Sequence, residues 1–219
     1  MAKLLVDNRR IEVDEGTTLL QACLYNNIYI PNLCYLEGMH NPPASCRICF
    51  VEMEGKKRPV TSCTVTVKDG MVVKTDTASV RRLQRTGLQL LLSVHHVDCG
   101  RCPANKKCEL QRVAKFLKVG LRPKRLERRL KEPEVERYHP ILDYYPNRCV
   151  LCGKCVYVCK TRHGHPFMAL AKRGLDTTIS LYGEDDLSRL PCEGCMACVE
   201  ICPVGAIVLK KGGNQTSQA

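Results

Sequence analysis

The chain has 219 residues, 16 of them cysteine and none tryptophan, and aromatic residues make up only 5%; so few large apolar side chains exclude one large hydrophobic core and favour small metal-nucleated modules. Tight C-x2-C triplets without an export signal argue for metal ligation in a reducing, cytoplasmic setting rather than a disulfide scaffold, and no apolar run reaches the ~18 residues of a membrane span. The formal net charge of +12 would suggest nucleic acid, but it counts every cysteine as a neutral thiol; ligation removes that proton, so part of the basic excess balances anionic metal sites.

Residues 4–6 and 11–13 alternate around the polar turn Asp7, Asn8, Arg9, which predicts a first hairpin. Thr18 and Gln21 have capping-box spacing ahead of Leu19, Leu20, Cys23 and Leu24, so a helix follows. Cys23 sits inside that helix with no partner at metal spacing and reads as a small buried hydrophobe. Cys34, Cys46, Cys49 and Cys63 then form C-x11-C-x2-C-x13-C in a loop running into a strand-like stretch at 48–53, with a closing strand at 71–74. From residue 76 the pattern turns helical, with Val80, Leu83, Leu88, Leu91 and Leu92 on one face. That helix leads into His95, Cys99, Cys102 and Cys108, an H-x3-C-x2-C-x5-C run in which His96 is the rival ligand.

Residues 118–140 shift to charge and proline, a connector whose basic run at 115–137 is either a solvated linker or a surface for an acidic partner. Beyond it lie two runs of one spacing: Cys149, Cys152, Cys155 and Cys159, then Cys192, Cys195, Cys198 and Cys202. The two-cluster bacterial ferredoxin pattern is this run twice, each fourth cysteine ligating the other cluster. One 4Fe-4S site would be Cys149, Cys152, Cys155 and Cys202, and its neighbour Cys192, Cys195, Cys198 and Cys159. Cys202 is followed by Pro203 as that pattern expects, but Cys159 is followed by Lys160, and residues 160–190 are an insertion between the halves. His163 and His165 read as a surface turn, since four sites of four ligands are complete without them. Zinc is the competing metal, although its sites commonly use separated C-x2-C pairs.

The first cysteine group resembles plant-type 2Fe-2S ferredoxin, with a longer first gap. Together with the histidine-plus-three-cysteine run it is similar to the N-terminal part of the complex I large iron-sulfur subunit, of iron-only hydrogenases, of some formate dehydrogenases, and of the small diaphorase subunit of NAD-linked nickel-iron hydrogenases. The polar end of the chain matches the diaphorase subunit best. The resemblance implies an α+β protein: a β-grasp 2Fe-2S domain at 1–76, a histidine-plus-three-cysteine 4Fe-4S segment at 77–117, a basic linker at 118–140, a two-cluster ferredoxin-like domain at 141–210 and a polar tail at 211–219. It implies one 2Fe-2S cluster on Cys34, Cys46, Cys49 and Cys63, a 4Fe-4S cluster on His95, Cys99, Cys102 and Cys108, and the two ferredoxin-like clusters. No nucleotide or substrate motif occurs, so no catalytic residue is expected. The resemblance then implies an oxidoreductase subunit relaying electrons between a flavin- and NAD-binding diaphorase subunit and the small and large subunits of a nickel-iron hydrogenase. A relay for formate dehydrogenase or NADH dehydrogenase is the alternative, and a zinc protein binding nucleic acid a distant one.

Overall fold

In a computed structural model describing residues 1–137, 139–183 and 186–210, the chain divides into two units, one of residues 1–93 with 109–127, the other of 94–108 with the chain from 128 onward. The polar tail at 211–219 lies outside the described residues. The first unit opens on the hairpin of β1 (Ala2–Val6) and β2 (Arg9–Val13). Asp7 and Asn8 turn it with φ of 46° and 66°, the left-handed pair a two-residue loop requires, while Arg9 already belongs to the strand. Thr18 caps α1 (Leu19–Tyr25), its hydroxyl accepting from the Gln21 N–H at 3.3 Å. The Gln21 side chain does not close the box; it donates to the Tyr25 hydroxyl at 2.8 Å.

After the cysteine loop come β3 (Phe50–Met53), β4 (Val60–Thr61) and β5 (Met71–Lys74). They complete a mixed sheet ordered β2-β1-β5-β3-β4, in which β1 pairs parallel with β5 and the other neighbours are antiparallel. Leu4, Val6, Leu19, Leu20, Val51 and Val73 pack into one core that also holds Cys23, Cys49 and Cys63. Cys23 is fully buried and burial pushes its thiol up to about 12, as suits a small apolar filler.

Next come α2 (Ala78–Ser93) and α3 (Glu109–Leu117). The buried stripe of α2 is Val80, Gln84, Gly87, Leu88 and Leu92, so Leu83 and Leu91 of the expected face are only half-buried. Gln84 lies in the interior because its amide donates to the Phe50 carbonyl at 3.0 Å and accepts from Arg81 at 2.9 Å. Leu110, Val113, Ala114 and Leu117, at i, i+3, i+4 and i+7, form the buried face of α3, which packs on α2.

The second unit contains β6 (Leu142–Tyr144), α4 (Lys154–His163), β7 (Met168–Ala171), β8 (Thr178–Leu181), α5 (Ala197–Glu200) and β9 (Ile207–Leu209). Strand β6 pairs antiparallel with β9, and β7 with β8, and the helices pack on one another. Lacking a proline after Cys159, α4 continues through it to His163 and stops at Gly164, whose φ is 76°. Pro203 follows Cys202 directly, and α5 has already ended at Glu200. The inserted stretch supplies the β7–β8 hairpin. The end of the connector is not merely solvated: Glu136 bridges Tyr144 through backbone bonds of 2.8 and 3.0 Å, and His139 is 2% exposed.

Candidate iron-sulfur sites

In the first unit, the loop after α1 and the short turn after β4 bring Cys34, Cys46, Cys49 and Cys63 together, each no more than 2% exposed. The sulfurs of Cys34 and Cys46 are 3.4 Å apart, and Cys63 hydrogen-bonds both Cys34 and Cys49. Hydrogen bonding with Cys46 and Cys63 holds the Cys34 thiol well below its ordinary range, while Cys46 and Cys63 are pushed up. Ala44 and Arg47, both at φ 50°, wrap the loop, and Ser62 donates through its hydroxyl and its backbone N–H to the Cys49 carbonyl at 2.8 and 3.0 Å.

In the second unit, His95 is 9% exposed and its Nδ1 is buried with no hydrogen-bond partner, while the ring meets the backbone of Arg148. Burial pulls its pKa down to about 4, so the imidazole is neutral at physiological pH and carries a free lone pair, the form that binds metal. The rival His96 is otherwise engaged: its Nδ1 lies 3.5 Å from Glu134 and its backbone N–H donates to Asn147 at 2.6 Å. Cys99 and Cys102 are bracketed by an N–H···O bond of 3.3 Å, and Cys108 directly precedes α3; all three are half-buried. Asp98 pairs through both carboxylate oxygens with Arg148, whose side chain is 7% exposed and stacks 3.9 Å over Tyr145.

In the two remaining groups, the fourth cysteine of each run lies near the first three of the other. Cys152 and Cys155 are raised first by burial and then by Cys149 and Cys202, Cys152 to about 12. Cys198 is raised to about 12 by burial and then by Cys192, Cys159 and Cys195. Cys159, Cys192, Cys195 and Cys198 line one largely apolar cavity with Leu142 and Met168. Backbone N–H groups aim at the sulfurs: Leu151 at Cys149, 3.4 Å; Phe167 at Cys159, 3.2 Å; Ala206 at Cys202, 3.2 Å. His163 and His165 pack against Phe167, at 5.3 and 4.6 Å between ring centres. Among the described residues no three His, Cys, Asp or Glu converge on a point that would hold a single ion. Tyr144, Lys131 and Arg148, which surround these cysteines, carried no motif that would have singled them out.

A family model described as a 2Fe-2S iron-sulfur cluster binding domain matches residues 1–78. The NADH-ubiquinone oxidoreductase-G iron-sulfur binding region matches 84–122, and the ferredoxin-like domain of NADH-quinone oxidoreductase subunit 3 matches 139–208. The chain therefore carries a 2Fe-2S domain followed by 4Fe-4S binding regions. It is 34% identical over 95% of its length to an NADH-quinone oxidoreductase G-type subunit of Rhizobium meliloti, covering 24% of that protein. It is 35% identical over 96% of its length to the NADPH-Fe(3+) oxidoreductase subunit alpha of Geobacter sulfurreducens, covering 24%, and 34% over 95% to the NADP-reducing hydrogenase subunit HndD of Solidesulfovibrio fructosivorans, covering 36%. The chain thus spans about a quarter to a third of the length of these curated relatives. In a solved NAD+-reducing nickel-iron hydrogenase in the H2-reduced state, one chain superposes with a TM-score of 0.84 at 29% identity, covering 99% of this chain and 90% of that one. No helix among the described residues is long and apolar enough to cross a membrane.

Proposed function

We propose that this chain, which carries the iron-sulfur domain set of NADH-quinone oxidoreductases and of NAD(P)-linked hydrogenases, is the electron-relay subunit of a cytoplasmic NAD-reducing nickel-iron hydrogenase. One 2Fe-2S and three 4Fe-4S clusters supply one-electron carriers when bound. The chain holds them on Cys34, Cys46, Cys49 and Cys63; on His95, Cys99, Cys102 and Cys108; on Cys149, Cys152, Cys155 and Cys202; and on Cys192, Cys195, Cys198 and Cys159. Its partners are a flavin- and NAD-binding diaphorase subunit and the hydrogenase small and large subunits.

The observation that carries the relay is the contact between two ligand groups. The Cys102 sulfur lies 3.6 Å from the carbonyl of Val204, two residues beyond Cys202, and a Cβ on Gly205 would stand 3.4 Å from that sulfur. The loop of one site is thus packed on a ligand of the next, as handing on single electrons requires. His95 contributes a neutral ligand where a thiolate would add charge, which favours reduction at that site as histidine ligation does in Rieske centres. The 29%-identical hydrogenase chain, 90% of which this chain covers, favours hydrogenase over the formate and NADH dehydrogenase alternatives.

The test is anaerobic purification of the native complex through this chain. Nickel and flavin in the eluate, with hydrogen-dependent NAD+ reduction lost when the chain is stripped and restored when it is added back, are the expected results. A complex free of nickel that oxidises formate or NADH instead would contradict the hydrogenase assignment.

A further inference from the structure

The basic stretch that follows α3 begins by closing a cavity in the first unit. At the end of the helix the Lys118 N–H donates to the Lys115 carbonyl at 3.2 Å and the Val119 N–H to the Ala114 carbonyl at 2.9 Å, the paired bonds of a left-handed C-cap. Glycine is the usual occupant of the left-handed position, yet here it is Lys118, with φ of 54°. Arg85 of α2 donates its Nε to the Leu117 carbonyl at 3.0 Å. Arg85 and Lys118, with Arg122 and Lys124 of the chain that follows, line a cavity of about 340 Å³. No acidic side chain among the described residues lines it.

The end of α3 accounts for one of these cations but not for four. A helix C-terminus carries about half a negative charge, and Arg85, bonded to the last carbonyl, already meets it. The Arg85 bond and the Lys118 turn fix where two of the side chains start, so their charges converge on one concavity instead of spreading over the surface. Its occupant is therefore anionic. A nucleotide would call for an aromatic face under its base or an acidic acceptor for its ribose, and the walls offer neither. A Cβ at Gly120 would meet nothing within 4 Å, which leaves room for a side chain entering from outside. The basic run continues past the cavity at Arg125, as an extended acidic segment would use and a single small anion would not.

We propose that this cavity docks an acidic segment of a partner subunit, whose Asp or Glu carboxylates bond Arg85, Lys118 and Lys124. The inference rests on this chain working beside partner subunits, as its proposed function holds. It makes residues 118–124 a recognition surface rather than a solvated linker. Charge pairs of this kind set the rate and register of docking and weaken with salt.

The experiment is zero-length carbodiimide cross-linking, which joins carboxylates to lysine amines, of the native complex purified anaerobically through this chain, read by peptide mass spectrometry. Lys118 or Lys124 should be found joined to an Asp or Glu in an acid-rich segment of a partner subunit. A chain carrying Lys118→Gln and Lys124→Gln, with full iron, should bind that partner about tenfold more weakly and with a shallower salt dependence. Lys56→Gln with Lys57→Gln removes the same charge from an exposed stretch outside the cavity and should change binding by less than about twofold. Both cavity lysines recovered without a partner link, or the two pairs weakening the partner alike, would overturn the proposal. So would inorganic tripolyphosphate or a single-stranded oligonucleotide that shields both lysines while the partner stays bound. Should the cavity variant fail to load iron, the cross-links of the wild-type complex decide alone. Nickel is measured in the same eluate: a nickel-free complex that still carries the link would refute the hydrogenase assignment and leave the docking site standing.

Discussion

Gly87 lies in the interior of α2, where glycine costs about 1 kcal/mol relative to alanine, so helix propensity alone says Gly87→Ala should stabilise the chain. Packing reverses that sign. A Cβ at this position would lie 2.3 Å from the Arg47 carbonyl oxygen, 3.1 Å from its carbon and 3.2 Å from Cγ2 of Ile48, whereas real Cβ contacts essentially never fall below 3.0 Å. The nearest atom is backbone, so relief requires moving the Cys46–Cys49 loop or the helix rather than a side-chain tip. Overpacking of this kind costs about 1–3 kcal/mol, which offsets or exceeds the propensity gain and leaves a net loss of up to about 2 kcal/mol. Because Arg47 stands between Cys46 and Cys49, the displacement also falls on two ligands of the proposed 2Fe-2S site. Gly87→Ala should therefore lower the 2Fe-2S EPR amplitude and the thermal midpoint, and Gly87→Val should do so more strongly. Gly120→Ala, where nothing lies within 4 Å of the added carbon, should leave the 2Fe-2S signal intact. A Gly87→Ala protein that is more stable than wild type with an unchanged 2Fe-2S signal would refute the packing explanation.

Arg148→Ala would strand the Asp98 carboxylate in a pair whose side chains are only 7% and 16% exposed; a loss of about 3–5 kcal/mol is expected in denaturant unfolding, with Asp98→Asn in the same background recovering part of it. Burial keeps the His95 imidazole neutral, with its pKa lowered from 6.5 to about 4, so as pH falls below 6.5 the unfolded chain takes up a proton first. Stability should drop between pH 6.5 and about 4, by about 3 kcal/mol at most, and level off below. His95→Ala should disturb one 4Fe-4S EPR signal alone, that of the site proposed on His95, Cys99, Cys102 and Cys108. Cys23→Ala should leave iron content unchanged and lower only the thermal midpoint, since a fully buried thiol lost from the core removes packing but no ligand.

What could be read along the chain was local. The Thr18 cap and the Asp7–Asn8 turn act over a few residues, and each appears in the structure where its spacing places it. The grouping of Cys202 with Cys149 and of Cys159 with Cys192 is non-local, and the ferredoxin pattern rather than spacing alone suggests it. His95 and His96 are adjacent and chemically identical, so nothing in their spacing foretells that His95 is buried while His96 lies beside Glu134. Gly87 looks like a flaw in a helical pattern until the Arg47 carbonyl is placed beside it. Tyr144 and Thr178 are separated by 34 positions and belong to no recognisable motif, and Lys131 sits in a run whose composition suggests a solvated linker or a surface for an acidic partner. Such neighbours are set by tertiary packing, which periodicity does not encode.

Iron with acid-labile sulfide analysis of the anaerobically purified chain, paired with EPR of its reduced form, tests most directly whether four sites of four ligands hold iron-sulfur clusters. The expected result is a brown protein with about 14 irons and as many sulfides per chain, showing one 2Fe-2S and several 4Fe-4S signals. A colourless protein with zinc at about four per chain would contradict it.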